Sequence, residues 1–369
     1  NLLADYVLRP GVKVIVSNKE CGLTFHGRIK RDERALFRGG GTQPVRAFYQ
    51  INTLACEDCR VCVEMTGCPG LTQTRDAYGP KVTIDPQICV ADSYCTKLKA
   101  CPSFERVDVL DYHPTKYAVA RPVLAGAEHL AHPLPRHDLT RIAGGEAWRS
   151  VVIGVGGSGV TTISRVLAEA ARPMGGRDDL DFKFVDQKGL AQRNGSVTSH
   201  LALFAKGHSH GQTVPLARAQ VVVSPDLLEG ARALPFLAAD GILVVDEDFQ
   251  VPLSLMLDDE ASRPQRTPQE LRDELRQKLG DRLLMAPFKR LCEERFQRAV
   301  YASAALLGVM FQAGLLPFAE SDMKDAFAAA LPPAELGPNL EAFQMGREWQ
   351  VNRQVPVSAA RDEEELIQR

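Results

Sequence analysis

Cysteine spacing is the chemical signal that stands out in this sequence, because eight of the nine cysteines lie within the first 101 residues. The first cysteine run, residues 56–69, has four cysteines and a following proline: Cys56, Cys59, Cys62 and Cys68. The second cysteine run, residues 89–102, repeats every spacing with an aspartate at its second position: Cys89, Asp92, Cys95 and Cys101. Thiolates at such short gaps can surround one metal centre. The duplication therefore predicts two related metal centres.

Iron–sulfur clusters suit this pattern better than zinc. In two-cluster ferredoxins the fourth cysteine of each run, which precedes a proline, binds the other cluster. We therefore predict two ligand sets: Cys56, Cys59, Cys62 and Cys101 for the first cluster, and Cys68, Cys89, Asp92 and Cys95 for the second. Zinc is the alternative, although zinc sites usually combine separated cysteine pairs rather than triplets. Bound clusters would carry electrons one at a time.

Asp92 leaves the type of the second cluster open. A carboxylate in the register of Cys59 could bind iron through oxygen and keep a [4Fe–4S] cube, or leave one corner empty and give a [3Fe–4S] cluster. The alternative is a solvated loop residue. A harder oxygen ligand would also change the charge of the cluster and hence its potential. We favour a ligand role because the two runs are in register.

The composition is that of an ordinary globular protein and excludes several classes. Apolar residues make up 45% and charged residues 24%, and a net charge of -2 gives no general attraction to nucleic acid or to an anionic membrane. No apolar run reaches the ~18 residues of a membrane span. The lopsided cysteine usage favours a cytoplasmic metal site over a disulfide scaffold. The N-terminus lacks a signal-peptide pattern and an initiator methionine, so we expect a subunit or a part of a longer chain.

The cysteine-rich part of the chain divides into three segments. In residues 1–30, alternating valines between Val12 and Val16 predict one strand, which we expect to complete a thiamine-diphosphate-type domain outside this chain. Residues 31–112 hold the cysteine runs among turn residues and predict a small α+β ferredoxin-like module for two clusters. Residues 113–146, rich in proline and histidine, predict a linker.

Residues 147–350 alternate apolar runs with helical patterns. This alternation predicts a doubly wound α/β domain with a mostly parallel sheet and helices on both faces. The predicted strands contain Val151–Val155, Phe182–Val185, Val197–Phe204, Ala219–Val223 and Ile242–Val245. A capping box that begins at Thr267 predicts a helix start, and residues 301–316 predict a helix that is buried all round. Residues 351–369 predict a solvated, charged tail.

A glycine-rich loop follows the first predicted strand of this domain and precedes a helix; its glycines are Gly154, Gly156, Gly157 and Gly159. Such loops can bring backbone N–H groups close to a phosphate. Asp186 follows the second predicted strand, where dinucleotide-binding folds place an acid for the ribose, and Gln187 comes next. These six residues are the candidates for binding NAD(P) or flavin. The alternative is that the glycines only allow close packing or contact a partner.

Other groups form no catalytic constellation. His200 lies in a predicted strand, where a histidine is more often structural than catalytic. Cys21 and Cys292 have no ligand spacing and are predicted to be small buried hydrophobic residues. The sequence also lacks a nucleophile elbow, a metalloprotease helix motif and the Gly-Asp-Gly and Asn pattern of thiamine-diphosphate sites. No residue is therefore predicted as a proton-transfer catalyst.

The segment from Asp186 to His200 resembles a known family. Together with the glycine loop, its pattern Asp-Gln-x-Gly-Leu-Ala-Gln-x-x-Gly-x-Val-x-Ser-His is similar to the gamma domain of 2-oxoacid:ferredoxin oxidoreductases. It is closest to the large fused form of indolepyruvate:ferredoxin oxidoreductase. Residues 226–232, 315–318 and 339–347 also look similar, and the cysteine runs resemble the cluster domain of that enzyme. Residues 11–23 resemble the last strand of its thiamine-diphosphate domain.

The resemblance implies that the complete enzyme oxidises a 2-oxoacid, here an aryl-pyruvate, with coenzyme A to an acyl-CoA and CO2 on thiamine diphosphate and Mg. Electrons would leave singly through the clusters to ferredoxin or a similar acceptor. The missing thiamine motif implies that this site belongs to a partner chain or to the rest of the same polypeptide, within an oligomer and without a nucleic-acid or membrane partner.

For the glycine loop, the resemblance implies a structural or coenzyme A role rather than NAD binding. Two other hypotheses stay open at this point. One is an iron–sulfur reductase whose α/β domain binds NAD(P) or flavin. The other is a non-enzymatic electron-transfer or assembly subunit.

Overall fold

The computed structural model describes residues 5–6, 8–14, 16, 18, 22–86, 88–97, 101–113, 130, 133–189, 195–208, 210–251, 256 and 267–354. Cys21 and residues 355–369 of the predicted tail lie outside this range, as does most of the predicted linker. Within the described part of the chain, no helix combines the length and the apolar character needed to cross a membrane.

In its described residues, the cysteine module (residues 22–112) has two α-helices and two small antiparallel sheets. Its helices are α1 (Gly22–Arg38) and α2 (Val61–Thr66), the second within the first cysteine run. Its strands are β1 (Gln43–Ile51), β2 (Leu71–Asp76), β3 (Gly79–Ile84) and β4 (Phe104–Tyr112). Strand β1 pairs with β4 and joins the two ends of the module, while β2 and β3 form a hairpin between the cysteine runs. This is the small α+β module that the sequence predicts.

The alternating valines near the N-terminus form no strand in this structure. None of the described residues before Gly22 belongs to a strand, and Val12, Val14 and Val16 are 81–99% exposed. With no neighbouring strand, their backbone groups have no ladder to join. A strand that pairs with a neighbour outside this chain is not tested by this structure and stays a prediction, and helix α1, which follows it, is not predicted. That residues 1–30 complete a domain outside this chain stays a prediction.

The α/β domain, residues 147–354, is organised around a sheet with the order β10-β9-β8-β5-β7-β6. Its strands are β5 (Ala147–Val155), β6 (Leu180–Lys188), β7 (Ser196–Ala205), β8 (Ala219–Ser224), β9 (Leu237–Asp246) and β10 (Leu283–Ala286). Strands β5, β8, β9 and β10 are parallel, and β7 runs antiparallel to both of its neighbours. The prediction of a mostly parallel sheet is confirmed.

The β6–β7 hairpin is the part of the sheet that the alternation of strands and helices did not predict. Residues 189–195 connect the two strands, and a connection this short permits an antiparallel pair but no crossover helix. Strand β7 therefore enters the sheet beside β5 and leaves β6 at the edge. Strand β10 is also absent from the prediction because it has only four residues.

Helices cover both faces of the sheet, as predicted. They are α3 (Leu139–Ala143), α4 (Val160–Gly175), α5 (Leu227–Arg232), α6 (Pro268–Leu279), α7 (Phe288–Phe296), α8 (Ala302–Gln312), α9 (Glu320–Ala330) and α10 (Pro333–Gln354). One core contains Val152 and Leu203 of the sheet together with α4, α7, α8, α9 and α10. The other contains Val151 and Leu243 together with α5 and α6. The central strands are therefore buried on both faces, which explains their nearly continuous apolar runs.

Two helix predictions are confirmed in detail. The N–H of Glu270 donates to the Thr267 side chain (3.1 Å), and the Glu270 carboxylate accepts from the Thr267 N–H (2.6 Å), which closes the capping box of α6. Leu275 lies on the buried side of that helix. Helix α8 is buried along nearly its whole length, from Ala302 to Phe311.

Helices α8 and α10 cross at two glycines, and this contact closes the larger core. A Cβ atom on Gly308 of α8 would overlap the carbonyl oxygen of Phe343, and one on Gly346 of α10 would overlap the carbonyl oxygen of Ala305. The two backbones therefore approach each other more closely than any side chain would allow. Gly337, on the same helix as Gly346, has open space where a Cβ would lie.

We predict that Gly346→Ala lowers the free energy of unfolding by about 1–3 kcal/mol, because the added methyl group forces the helices apart. Gly337→Ala is the matched control, and it should cost clearly less than Gly346→Ala: no other described element approaches the added methyl group, and only the following Pro338 makes a helical alanine less favourable there. Chemical denaturation of both variants beside the parent chain measures the difference. Equal stability of the two variants would contradict the close crossing of α8 and α10.

Candidate metal centre

Cys62 lies among the other thiols of the first predicted ligand set. Its thiol pKa is raised to about 11, first by burial and then by Cys59, with smaller contributions from Cys101 and Cys56. Cys101 therefore reaches this set from the second cysteine run. Thiols that resist ionisation in this way need a positive metal centre to become thiolates, because iron offsets their mutual repulsion.

The second predicted set is brought together in the same way. Burial, followed by Cys68, Asp92 and Asp85, raises the thiol pKa of Cys89. Burial, followed by Cys89, Cys68 and Asp92, raises the thiol pKa of Cys95. Cys68 belongs to the first cysteine run but lies with the thiols of the second. Cys101 and Cys68 thus each lie within electrostatic reach of the opposite run, and that they bind clusters there stays a prediction.

The two cysteine loops also share a backbone conformation. On either side of the second ligand position, Asp58 and Arg60 have φ angles of 53° and 60° in the first run, while Ala91 and Ser93 have 54° and 62° in the second. The left-handed region is uncommon for residues other than glycine. Matching left-handed residues at matching positions make the loops structural repeats, and Asp92 occupies the place that a cysteine has in the first loop.

Asp92 is exposed, as is its counterpart Cys59. One carboxylate oxygen of Asp92 accepts a hydrogen bond from the N–H of Tyr94 (3.1 Å), which holds the side chain at the turn. A carboxylate can accept several further partners. The position is compatible with iron ligation, which stays a prediction.

Backbone and side-chain donors surround Cys56, the buried member of the first set. The N–H of Val82 on β3 donates to the Cys56 sulfur (3.4 Å), and the Lys81 ammonium donates to the Cys56 carbonyl (2.6 Å). Hydrogen bonds to ligand sulfurs are among the features that set cluster potentials. Seven thiols and one carboxylate in two loops of equal geometry, with an N–H directed at sulfur, fit two iron–sulfur clusters.

In the described residues, no three His, Cys, Asp or Glu side chains stand close enough to share a single metal ion. A cluster makes a different demand on its ligands. Each thiolate binds a separate iron atom, so the thiolates are spread around the cluster rather than gathered on one ion.

The cysteine module and the α/β domain share a small core. Met256 and Val251, from the connection that follows β9, pack with Val63, Leu71 and other apolar residues of the module. The Arg60 guanidinium, within the first cysteine run, donates to the carbonyl of Met256 (3.2 Å). The first loop is thereby attached to the α/β domain.

A cleft of about 790 Å³ lies between the module and the C-terminal edge of the sheet. The β2–β3 hairpin lines one side, including Thr72, and Asp85 follows it; Gly156–Ser158 and Lys289 line the other. In doubly wound folds, ligands bind at this edge, where connections leave neighbouring strands in opposite directions. Here the cysteine module covers that position.

The glycine loop between β5 and α4 has mainly a packing role at its two ends. A Cβ on Gly154 would lie 2.7 Å from Val160, and a Cβ on Gly159, whose φ is +93°, would lie 2.7 Å from Ser303. Gly157 has a φ of +104° and borders the cleft, with no described atom within 4 Å of a Cβ position. Only the middle of the loop is therefore free to approach a ligand.

Asp186 and Gln187 lie on β6 at the edge of the sheet. Asp186 accepts a hydrogen bond from the Ser199 hydroxyl (2.5 Å), and the Lys188 ammonium lies 3.6 Å away. In dinucleotide-binding folds, the acidic residue ends the strand beside the glycine-loop strand. Here β7 lies between β5 and β6, and two strand spacings place β6 about 10 Å from β5. This geometry does not favour a ribose site.

Two further residues have the structural roles that the sequence suggests. His200 on β7 is buried, accepts a hydrogen bond from the N–H of Val214 (3.2 Å), and has a pKa lowered by burial. Cys292 is fully buried in α7, and burial raises its thiol pKa to about 12. Its interpretation as a small buried hydrophobic residue is confirmed.

A charged group at the end of β9 is not predicted from the sequence. Burial raises the pKa of Asp246 to about 7, partly offset by Lys289, and its carboxylate accepts from the N–H groups of Asp248 (3.0 Å) and Lys289 (2.9 Å). Burial lowers the Lys289 pKa, but Asp248 and the other carboxylates outweigh it and raise the net value. An aspartate directly after a buried valine run is the signal that could have identified this group, which joins β9 to α7.

Two curated relatives match different lengths of the chain. Over 201 residues it is 25% identical to the indolepyruvate oxidoreductase subunit IorB of Thermococcus kodakarensis, covering 53% of this chain and 92% of that protein. Over 97 residues it is 31% identical to the indolepyruvate oxidoreductase subunit IorA of Pyrococcus horikoshii, covering 26% of this chain and 13% of that protein. The chain thus spans nearly all of IorB and a small part of IorA.

A solved structure is also similar to this chain. The gamma subunit of a keto/oxoacid ferredoxin oxidoreductase from Geobacter sulfurreducens is 18% identical, with a TM-score of 0.38. The match covers 56% of this chain and 99% of that one.

The family comparison covers the α/β domain. Residues 149–349, more than half of the chain, match the family described as pyruvate ferredoxin/flavodoxin oxidoreductase. The resemblance inferred from the sequence is confirmed at this level: the chain belongs to the pyruvate ferredoxin/flavodoxin oxidoreductase family.

Proposed function

We propose that this chain is the electron-relay and gamma-domain part of a 2-oxoacid:ferredoxin oxidoreductase that acts on indolepyruvate or a related aryl-pyruvate. The observation that carries the proposal is the grouping of thiols in which each cysteine run contributes its last member to the other. Family membership supports the enzyme class, and the names of the IorB and IorA relatives support the substrate.

The residues of the module would hold the clusters and control their surroundings. Cluster iron supplies a carrier that accepts and releases one electron at a time. The thiolates of the two sets bind iron, and the Val82 N–H bond to Cys56 stabilises negative charge on that sulfur. Buried side chains such as Val63 and Leu71 keep water from the inner side of the first loop.

The oxidation itself belongs to a site outside this sequence, which lacks the thiamine-diphosphate motif. A partner chain, or further sequence of the same polypeptide, would bind thiamine diphosphate and Mg. There a 2-oxoacid and coenzyme A give an acyl-CoA and CO2, with the release of two electrons. These would pass singly through the module to ferredoxin or a similar acceptor in the cytoplasm, within an oligomer.

The structure gives less support to a reductase that takes electrons from NAD(P)H. Gly154 and Gly159 are needed for packing, and β7 separates Asp186 from the strand of the glycine loop. The middle of the loop borders the cleft covered by the cysteine module. This position is suited to contact between the module and the α/β domain, and a coenzyme A role is only what the family resemblance implies.

We predict that the purified chain contains about seven to eight iron atoms, since one cluster of four irons and a second of three or four irons are expected. Cys59→Ser should lose the iron of one cluster and retain most of the other, because Cys59 belongs to the first set alone. Iron and sulfide analysis together with visible absorption measures both outcomes.

The control for this experiment is Cys292→Ala, which removes a thiol that is buried in the α/β domain. Its iron content should equal that of the parent chain. Stoichiometric zinc without a visible absorption band would contradict the cluster assignment, as would equal loss of iron from both cysteine variants.

We predict that Asp92 determines the type of the second cluster. Asp92→Cys should give a more robust [4Fe–4S] cluster with an altered potential, because thiolate binds iron more firmly than carboxylate. Asp92→Ala should favour a [3Fe–4S] cluster or loss of the cluster, because no protein group would hold the fourth iron. EPR spectra of the oxidised and reduced forms distinguish these states.

In both Asp92 variants the first cluster serves as the internal control, because its predicted ligands are unchanged. Its signal should keep the shape and intensity of the parent protein. Identical spectra and potentials of the second cluster in all three proteins would show that Asp92 is a solvated loop residue without a ligand role.

A further inference from the structure

Asp58 and Arg60, the residues on either side of Cys59, form a buried ion pair. The Arg60 guanidinium donates through Nε (3.3 Å) and Nη2 (3.0 Å) to one carboxylate oxygen of Asp58. Cys59 lies between these two residues in sequence, and both have left-handed backbone angles. The two charges therefore stand beside a predicted iron ligand.

Neither charge is open to solvent. The side chains of Arg60 and Asp58 are 8% and 10% exposed, unlike Cys59 itself, which is exposed. The remaining end of the guanidinium donates to the carbonyl of Met256 (3.2 Å), which lies 196 residues further along the chain in the α/β domain. This contact fixes the direction in which Arg60 points and keeps the pair in a weakly screened environment.

The second loop offers a natural comparison, because it has the same backbone without the pair. Its left-handed residues are Ala91 and Ser93, which carry no charge. The backbone conformation therefore does not require an aspartate and an arginine at these places. In the first loop, Asp58 and Arg60 instead place two opposite charges next to the predicted cluster ligand Cys59.

We propose that Asp58 and Arg60 form a charge-balanced pair beside the first cluster, in which each residue offsets the shift in reduction potential that the other would cause alone. The inference rests on the proposed function, because it requires a cluster on the first ligand set. The two residues position charge and contact no substrate.

The physical reason is that reduction adds one negative charge to the cluster. A neighbouring positive charge stabilises the reduced form and raises the potential, whereas a negative charge lowers it. In the intact pair the two effects largely cancel. Removing either partner leaves the other charge buried and unbalanced, so the two single substitutions should act in opposite directions.

The test is a charge cycle made of Arg60→Gln, Asp58→Asn and the double variant. The potential of the first cluster is measured by EPR-monitored redox titration. Its signal is identified as the one that Cys59→Ser lacks. Arg60→Gln should lower the potential and Asp58→Asn should raise it. Each shift should correspond to at least about a tenfold change in the equilibrium constant for reduction, which is ~59 mV for one electron. The double variant should return close to the parent value.

Two controls separate charge from structure. Arg60→Lys keeps the charge without the two-pronged contact, so its potential should stay closer to the parent value than that of Arg60→Gln. Arg106→Gln removes one positive charge from an exposed position on β4, where the side chain is 57% exposed, and should leave the potential unchanged because solvent screens it. The second cluster should shift less than the first in every variant.

The possible outcomes test the proposed function and the inference about Asp58 and Arg60 separately. A parent chain without iron–sulfur signals would overturn the proposed function itself. Intact clusters with equal potentials throughout the cycle, or shifts of the same sign in both single variants, would overturn the inference alone. If Arg60→Gln loses the first cluster, the other two variants still test the inference. Asp58→Asn should raise the potential of the first cluster, and the double variant should return it to the parent value.

Discussion

The convergence of seven thiols on two short loops is the physical constraint on which the rest of the structure depends. Buried thiols resist ionisation beside one another, as the raised pKa values of Cys62, Cys89 and Cys95 show. Without a metal, contact between the two loops therefore contributes little stabilisation. The surrounding fold must bring them together. The β1–β4 pair joins the ends of the module, and Met256 of the α/β domain completes its core.

The cysteine module also covers the edge of the α/β sheet at which the parallel strands end. In a doubly wound fold, the edge beside the glycine loop is the usual place for a ligand. In this chain the β2–β3 hairpin faces that edge across the cleft, while Gly154 and Gly159 allow β5, α4 and their neighbours to pack closely. A fold commonly used to bind nucleotides therefore has its usual ligand edge covered here by the cysteine module. Its glycine pattern alone does not distinguish the two uses.

What the sequence could predict depends on how local the cause is. The proximity of the cysteines in the two runs is predicted from their spacing, and the start of α6 follows from four adjacent residues at Thr267. The direction of β7 could not be predicted, because an apolar run looks the same in a parallel and in an antiparallel strand. The strand expected at Val12–Val16 depends on a neighbour outside this chain, so the chain by itself does not test it. The link from Arg60 to Met256 spans 196 residues and leaves no pattern in the sequence.

If the proposed function is correct, this chain receives electrons from 2-oxoacid oxidation and not from a nicotinamide. The most direct measurement is anaerobic stopped-flow absorption of the clusters, with the chain alone and combined with a thiamine-diphosphate-binding chain. Indolepyruvate with coenzyme A should bleach the clusters in the combined assembly and leave them oxidised in the isolated chain. NADH or NADPH should have no effect on either. Bleaching of the isolated chain by NADH or NADPH alone would contradict the proposed function.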